Sequence, residues 1–230
     1  MSTDLQRPGG SHWIPLSDLM TALMMVFMLL AVVYMMRVEQ TTTIVVREYE
    51  ITKKDLMRAL QDEFAKDLEQ WNAKFLGNMT LRFNDPGIMF ATGSDQLSPK
   101  FKDVIRDFFP RYLRIINSEK FKGAIKEVRI EGHTSTFWGA AGPQEAYLQN
   151  MALSQERTRS VLGFILQLPD AKENESWLKE RLTANGLSSS NPVRRSDGRV
   201  DEAASQRVEF RIVTNAEERL SEMAERVMQK

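Results

Sequence analysis

The 230-residue sequence contains no cysteine, only two histidines and no excess of charge of either sign. The lack of cysteine excludes a disulfide scaffold, a thiolate zinc site and a cysteine nucleophile. Its 31 basic and 31 acidic side chains cancel, so the chain also lacks the basic excess that is typical of nucleic-acid-binding proteins. We therefore expect no nucleic-acid partner, and the remaining features have to indicate the function.

A long apolar run lies near the amino terminus. Residues 16–36 carry a single charged side chain, Asp18. A helix of this length spans about 31 Å at ~1.5 Å per residue, which matches the apolar thickness of a bilayer. The run is longer than the apolar part of a signal peptide, and no A-x-A cleavage site follows it. The sequence therefore predicts an uncleaved transmembrane helix over 16–36, after a polar segment over 1–15.

Asp18 allows two interpretations. A charged, unpaired carboxylate inside a membrane is unfavourable by several kcal/mol, so an acid in that position takes up a proton and can carry it. Alternatively Asp18, which follows Pro15 and Ser17, lies in the first helical turn at the membrane surface, where the helix dipole stabilises it. Thr21 lies one turn further on and either hydrogen-bonds the Asp18 carboxyl or bonds back to its own helix. Taken alone, these residues favour neither interpretation.

The segment 37–78 predicts a linker helix that leads away from the membrane. Apolar residues recur in it every three or four positions, which indicates one apolar stripe on a solvated helix. The stripe comprises Leu56, Leu60, Phe64, Leu68, Trp71 and Phe75. We expect a second copy of the chain to cover this stripe.

From residue 79 the pattern changes to short strands that alternate with helices, which predicts an α+β domain over 79–214. Alternating or short apolar runs predict strands over 79–83, 87–90, 125–132, 181–187 and 207–213, the first two joined by a turn at 84–87. Ser98 and Pro99 are typical of a helix start, and a second helix is predicted over 147–168. The order βαβαβ, with an added hairpin strand, places the helices on one face of a sheet. A charged helix is expected over 215–230.

Few side chains in this domain suggest catalysis. His133 is its only histidine, and no second metal-ligating residue stands at a suitable spacing. A structural, hydrogen-bonded histidine is the better interpretation. No catalytic constellation is visible, so we expect no enzymatic activity, no metal and no cofactor.

A binding site is better supported than a catalytic one. Asn150, Leu153 and Arg157 share one face of the second domain helix because they are three and four residues apart. Arg157 can bind a carboxylate through two nitrogens, and Asn150 offers both a donor and an acceptor. The alternative is that Arg157 pairs with an acid of the chain itself, such as Glu156 or Glu209.

Four sequence blocks resemble OmpA-like peptidoglycan-binding domains in order and spacing. They are IMFATGSDQL (88–97), IEGHTS (130–135), NMALSQER (150–157) and SQRVEFRI (205–212). The resemblance implies that Asn150, Leu153 and Arg157 bind the diaminopimelate peptide of peptidoglycan. The chain departs from the family at Ser135, where an aspartate usually contacts the ligand amine, and at 206–207, where only Arg207 remains of an arginine pair. Ser135 and Arg207 complete the predicted site in this altered form.

The run WIPLSDLMTALMMVF (13–27) is similar to the single membrane helix of the flagellar stator subunit MotB. The resemblance implies that Asp18, with Thr21 beside it, carries protons. It also implies an inner-membrane protein with its amino end in the cytoplasm and its domain in the periplasm. As in stators, two copies of the chain would be surrounded by a MotA-like partner, five copies around two.

Within this group, the start W-I-P-L-S-D-L-M-T, the short length and H-T-S in place of H-T-D resemble the stator-like subunits of Zorya anti-phage defence systems more than flagellar subunits. A proton-driven motor that is anchored to the cell wall and serves defence is therefore the predicted function. Two alternatives stay open. One is a flagellar stator subunit that drives motility, and the other is a passive tether that needs Arg157 but not Asp18.

Overall fold

The computed structural model describes residues 13–215, with side-chain positions for all of these except 13–15, 40–49 and 86. Most of the predicted segments 1–15 and 215–230 therefore lies outside the described residues. The chain divides into two compact units, one that includes the helical residues up to Tyr49 and one that begins at Glu50. Each unit is described by itself.

The longest element is helix α1, Trp13–Phe64. Its segment Leu16–Glu39 has a mean hydropathy of 2.4 and is the one helical segment, among the described residues, that is long and apolar enough to cross a membrane. The predicted span 16–36 lies within this segment. The large apolar side chains of 16–36 are between 47% and 70% exposed in the single chain, which is what a surface that faces lipid or partner helices requires.

The second unit is built around a five-stranded sheet. In spatial order the strands run β1-β2-β5-β3-β4, with β3 and β4 parallel and the other neighbours antiparallel. Their bounds are β1 Ala73–Leu76, β2 Thr80–Phe83, β3 Ile125–His133, β4 Leu182–Gly186 and β5 Arg207–Thr214. The predicted strands over 79–83, 125–132, 181–187 and 207–213 are thereby confirmed to within a residue or two.

Two long helices and several short ones connect the strands. The helices after α1 are α2 Pro86–Met89, α3 Pro99–Ile116, α4 Pro143–Ile165, α5 Pro169–Glu173, α6 Glu175–Arg181 and α7 Glu202–Ser205, with a 3₁₀ turn at Lys122–Ala124. The predicted start of α3 is confirmed, because the Ser98 hydroxyl oxygen accepts a hydrogen bond from the Phe101 amide at 3.0 Å and Pro99 follows it. The predicted helix over 147–168 is α4, which begins one turn earlier.

The core lies between one face of the sheet and the helices. Alternate residues of β2, β3 and β5 supply the apolar face of the sheet. Phe108 of α3 lies at the centre, with its ring centroid 5.5 Å from that of Phe83 and 5.0 Å from that of Phe210, both edge to face. The core residues of the three strands are Leu81, Phe83, Val128, Ile130, Val208, Phe210 and Ile212.

The predicted linker helix ends earlier than expected, and its stripe is already covered. Helix α1 stops at Phe64, turns occupy 65–72, and Phe75 lies in strand β1. Leu56, Leu60 and Phe64 are fully buried in the core of the same chain. The expectation that a second copy covers this stripe is therefore wrong for these three residues. Helical periodicity indicates that a face is buried, but it does not identify what buries it.

The predicted hairpin of 79–83 with 87–90 is also wrong. Strand β2 pairs with β1, where Ala73 lies opposite Phe83, and residues 86–89 form the short helix α2. The Asp85 carboxylate accepts a hydrogen bond from the Ile88 amide at 3.1 Å, and Pro86 occupies the first helical position. Asp followed by Pro is a helix start as well as a turn signal, and here the helix is formed.

Candidate functional site

A cleft of about 260 Å³ opens beside the middle of α4. One wall is the loop before α3, a second is the loop after β3, and the third is α4 itself. The residues that line the cleft are Thr92, Gly93, Thr134, Ser135, Phe137, Trp138, Gly139, Asn150, Leu153, Arg157 and Gln206. Four of the five residues predicted to bind peptidoglycan are among them.

Two glycines allow α4 to lie close to the sheet at this point. A Cβ atom at Gly132 would lie 2.6 Å from Thr158 Cγ2, and one at Gly186 would lie 2.3 Å from the Gln155 amide nitrogen. The Ser154 hydroxyl oxygen also accepts a hydrogen bond from the Ser188 amide at 3.0 Å. Any larger residue at either glycine would push α4 away from the strand ends, so these contacts fix the residues of α4 that line the cleft.

Asn150 connects α4 to the loop after β3. It is buried, and its Nδ2 donates a hydrogen bond to the Phe137 carbonyl oxygen at 2.9 Å. The Ser135 hydroxyl donates to the same carbonyl at 3.4 Å. On the other side of this loop, the amide and the hydroxyl of Thr136 donate to the two carboxylate oxygens of Glu202, at 2.8 and 2.5 Å. The loop is therefore held from both sides.

Arg157 forms the charged part of the cleft. It is 8% exposed, and its guanidinium lies 4.8 Å from the ring centre of Phe90. Its Nε donates to the Ser94 carbonyl at 2.9 Å and its Nη2 to the Ala91 carbonyl at 3.3 Å. Burial lowers the pKa of Arg157, and the charge of Asp95 acts in the opposite direction. The guanidinium thus stays charged but is held mainly by neutral carbonyl groups.

The alternative that Arg157 pairs with Glu156 or Glu209 is wrong. Glu156 lies 3.4 Å from Arg159, and Glu209 pairs with other arginines. Within residues 13–215, Arg157 forms no ion pair, and its Nη1 donates to no protein acceptor. A ligand carboxylate would therefore meet a positive charge that no protein acid neutralises at contact distance.

Arg207 lies outside the cleft lining. Its Nε donates to Glu209 at 2.6 Å, and its two Nη atoms donate to the carbonyls of Ser205 and Asn191, each at 3.0 Å. Gln206, the preceding residue, lines the cleft instead. Neighbouring residues of an extended chain point to opposite sides, so only one member of this pair can face the cleft. Sequence reasoning singled out neither Gln206 nor the aromatic residues Phe137 and Trp138.

A group of buried charges lies on the sheet face opposite the core. Ligand atoms of Glu131, His133 and Glu209 lie within 4.8 Å of one another. Arg82 and Arg207 contact Glu209 at 2.7 and 2.6 Å. Arg211 lies 3.3 Å from Glu131. These arginines already compensate the carboxylates, which makes the group an unfavourable place for a cation.

His133 is buried but not hydrogen-bonded, which corrects part of its predicted role. Neither ring nitrogen has a hydrogen-bond partner among the described residues, and Nε2 lies 3.9 Å from Glu209 Oε2. Burial, reinforced by the positive charge of Arg207, lowers the pKa of His133 from 6.5 to about 4. The histidine is thus neutral in the folded protein near pH 7.

This shift predicts a loss of stability in acid. Between pH 6.5 and 4 the unfolded chain binds a proton at His133 and the folded chain does not. The contribution of this group to the free energy of unfolding is therefore complete above pH 6.5 and is lost as the pH falls towards 4. We expect the free energy of unfolding of a fragment over 50–217 to fall by about 3 kcal/mol through this group by pH 4. Urea unfolding at several pH values measures it.

The variant His133→Gln isolates that contribution. Burial raises the pKa of Glu131, which gives a change of opposite sign over part of the same pH range, so total stability is not a clean readout. The free energy of unfolding of wild type should fall relative to that of His133→Gln as the pH falls from 6.5 to 4. Parallel pH profiles for the two proteins would contradict the predicted shift.

In the apolar segment, Asp18 is exposed and the Thr21 hydroxyl donates to the Ser17 carbonyl at 2.8 Å. Thr21 therefore bonds back to its own helix, the commoner of its two predicted uses. The hydroxyl oxygen of Thr21 still has acceptor capacity towards a protonated carboxyl. No ion pair of Asp18 occurs in the part of the chain that the structure describes.

The described residues thus combine one helix long and apolar enough to cross a membrane with an α+β domain that has a polar cleft beside α4. A solved structure of a MotB-like protein from Desulfovibrio vulgaris matches the chain with a TM-score of 0.50 and 22% identity, over 73% of this chain and 98% of that one. At this identity the likeness shows the fold alone. Together with the apolar N-terminal helix, this likeness confirms the predicted fold class, an apolar helix followed by an α+β domain with the fold of that MotB-like protein.

Relatives in sequence show the family. The chain is 43% identical over 213 residues to the Zorya protein ZorB of Escherichia coli strain ATCC 8739, over 90% of each chain. It is 24% identical to the Zorya protein ZorB of Escherichia coli O139:H28 strain E24377A, over 92% of this chain and 82% of that one. No protein-family model matches the sequence. The chain belongs to the ZorB family, which confirms the predicted resemblance to a Zorya subunit.

Proposed function

We propose that this chain is the stator-like subunit that anchors a proton-driven inner-membrane motor to peptidoglycan in anti-phage defence. Membership of the ZorB family, the MotB-type fold and the candidate span Leu16–Glu39 support the proposal. The amino end would lie in the cytoplasm and the α+β domain in the periplasm. Identity to ZorB proteins favours defence over the flagellar alternative.

Wall anchoring rests on one observation, the buried Arg157 guanidinium that lacks a carboxylate partner among the described residues. Diaminopimelate ends in a carbon that carries both a carboxylate and an ammonium. Arg157 can take the carboxylate, and the oxygens of Asn150 and Ser135 can accept from the ammonium. Leu153 would contact the methylene chain. Arg207 would hold the start of β5 in place from behind the cleft.

The variant Arg157→Lys tests this assignment. It keeps the charge but loses the planar fork, and hydrogen bonds to charged groups contribute about 1.5–3 kcal/mol, so binding should weaken about tenfold or more. Co-sedimentation of the full-length protein in detergent with purified peptidoglycan sacculi measures the effect. Arg159→Lys, on the same helix with an 80% exposed side chain, is the matched control and should bind as wild type does.

A second variant guards against loss of folding as the explanation. Ser135→Asp restores the carboxylate that is usual in OmpA-like domains at this position, so it should strengthen retention on sacculi. Unchanged binding in both Arg157→Lys and Ser135→Asp would contradict the assignment of this cleft to peptidoglycan.

Ion coupling rests on Asp18, the one carboxylate of the predicted membrane helix. In the proposed assembly, two copies of the chain present two Asp18 carboxyls to a ring of five MotA-like ZorA subunits. Protonation would neutralise one carboxyl and release its attraction to the ring, so that the ring advances. Thr21 would accept a hydrogen bond from the protonated acid. The exposed apolar side chains of the span are available for these helix contacts.

A further inference from the structure

An aromatic side chain stands exposed at the edge of the cleft. Phe137 is 66% exposed, the highest value among the large apolar side chains described between Glu50 and Asn215. Exposure of a ring of this size to water is unfavourable, so a ring at the edge of a cleft is available for contact with what the cleft binds. Trp138, half-buried, lies beside it and also lines the cleft.

The main chain under the ring is fixed. The Phe137 carbonyl accepts hydrogen bonds from Asn150 and Ser135, and Thr136 is held by Glu202. After Trp138 the chain turns sharply, because the Ala141 amide donates to the Trp138 carbonyl at 2.9 Å and Gly139 takes a positive φ of 51°. A ring presented by an ordered loop binds without a large loss of conformational entropy.

The groups around the ring are neutral hydrogen-bonding side chains. Ser135, Asn150 and Gln206 line the same cleft, and Arg157 is its one charged lining residue in the described chain. An apolar ring beside amides and hydroxyls fits a sugar, because a pyranose ring has an apolar C–H face and a rim of hydroxyl and acetamido groups. A protein partner would call for a larger continuous apolar patch.

The chain length of the wall polymer agrees with this position. Diaminopimelate is the third residue of the stem peptide, and its γ-glutamyl link and long side chain allow the extended stem to span about 15–20 Å. A stem peptide held at Arg157 therefore keeps the sugar that carries it within this distance of Arg157, and Phe137 lines the same cleft. We propose that Phe137, with Trp138, forms a stacking platform for the glycan strand, next to the peptide site. This inference rests on the proposed function in wall binding.

The test compares two soluble ligands on the full-length protein in detergent by calorimetric titration. One ligand is the tripeptide L-alanyl-γ-D-glutamyl-diaminopimelate, and the other is the same tripeptide joined to its N-acetylglucosamine–N-acetylmuramic acid disaccharide. Wild type should bind the disaccharide-tripeptide about three- to tenfold more tightly than the tripeptide, the range expected for one aromatic contact. The ratio of the two affinities is the readout.

Two substitutions separate ring stacking from apolar contact. Phe137→Leu should bring the ratio of affinities close to one, because it keeps apolar area but removes the ring face. Phe137→Tyr should keep the ratio of wild type. Equal affinity of wild type for both ligands, or an unchanged ratio in Phe137→Leu, would overturn the platform while leaving the peptide site intact. Loss of self-association in Phe137→Leu with an unchanged ratio would mean that the ring faces a second copy instead.

The proposed function fails in a different way. If wild type binds neither ligand, the cleft is not a peptidoglycan site and the platform has no polymer to contact. The same conclusion follows if Arg157→Lys binds the tripeptide as tightly as wild type does. That pattern is distinct from tripeptide binding without a contribution from the disaccharide.

Discussion

Asp18→Asn should abolish protection against phage in cells that carry the whole operon, so that phage plate as efficiently as on cells without it. Asparagine has nearly the size and shape of aspartate but cannot gain or lose a proton in this range. If Asp18 carries protons, the substitution leaves the helix intact and removes the step that drives the motor. The measurement is phage plating efficiency, with the amount of protein in the membrane fraction determined in parallel.

Two further variants make the result specific. Asp18→Glu keeps a titratable carboxyl on a side chain one methylene longer, so it should retain more protection than Asp18→Asn. Thr21→Val removes the hydroxyl that now donates to the Ser17 carbonyl, and its effect should be smaller, because the helix satisfies that carbonyl without it. Protection that falls from wild type through Asp18→Glu to Asp18→Asn, with Thr21→Val well above Asp18→Asn, would follow the capacity of position 18 to hold a proton.

The same experiment separates the motor from a passive tether. A tether needs only the cell-wall site, so Arg157→Lys would weaken protection and Asp18→Asn would leave it unchanged. Full protection by Asp18→Asn at normal membrane levels would therefore show that Asp18 is an interfacial residue. In that case the chain serves only to attach its complex to the wall.

Local patterns in the sequence predicted most of the domain. The start of α3 could be predicted because Ser98 and Pro99 act within one turn. Strands β3 and β5 could be predicted because apolar residues alternate with polar ones along most of each strand. The face of α4 that carries Asn150 and Arg157 follows from the helical repeat alone. These features depend only on residues that are near one another in the chain.

Features that depend on distant residues could not be predicted in this way. The position of Glu209 is an example, because it lies opposite Arg82 on one neighbouring strand and opposite Glu131 on the other. Its contact with Arg82, which is 127 residues away in sequence, follows from the register of β2 against β5. The pKa of His133 depends on its burial and on the pairing of β3 with β5, which places it opposite Arg207, so a lone histidine does not indicate this pKa.

The cleft itself was predicted in part for the same reason. Arg157 is a helix residue whose direction was clear, but the carbonyls of Ala91 and Ser94 that hold it belong to a loop more than 60 residues away. Arg207 was predicted to line the cleft, but Gln206 lines it instead, because that side of the chain faces the cleft. Strand alternation requires the two to differ, yet it does not say which one is inside.

The end of α1 provides the last prediction, because the sequence and the structure assign its apolar stripe differently. Phe64 is fully buried, with its ring centroid 5.7 Å from that of Trp71 and 5.4 Å from that of Phe108. Arg111 of α3 lies over the same ring at 4.9 Å and binds Glu63 at 2.7 Å and Asp67 at 2.8 Å. The segment from Glu50 is thus part of the domain core and not a separate stalk.

Phe64→Ala should therefore lower the free energy of unfolding of the fragment over 50–217 by about 3–5 kcal/mol, the usual range for removing a buried aromatic ring. Urea unfolding followed by tryptophan fluorescence measures it. Ile51→Ala is the matched control on the same helix, because Ile51 is 52% exposed and its removal should change stability by less than about 1 kcal/mol.

Protein concentration distinguishes the two assignments of the stripe. If the stripe is buried within one chain, the urea midpoint of the fragment stays the same over about a hundredfold range of concentration, whereas burial between two copies makes the midpoint rise with concentration.

A shorter fragment over 79–217, which starts at the predicted domain boundary, lacks β1 as well as Leu56, Leu60, Phe64 and Trp71. It leaves the apolar faces of β2 and α3 open to water, so it should not fold cooperatively. A stable, cooperative 79–217 fragment would mean that the end of α1 is only an attachment to the domain.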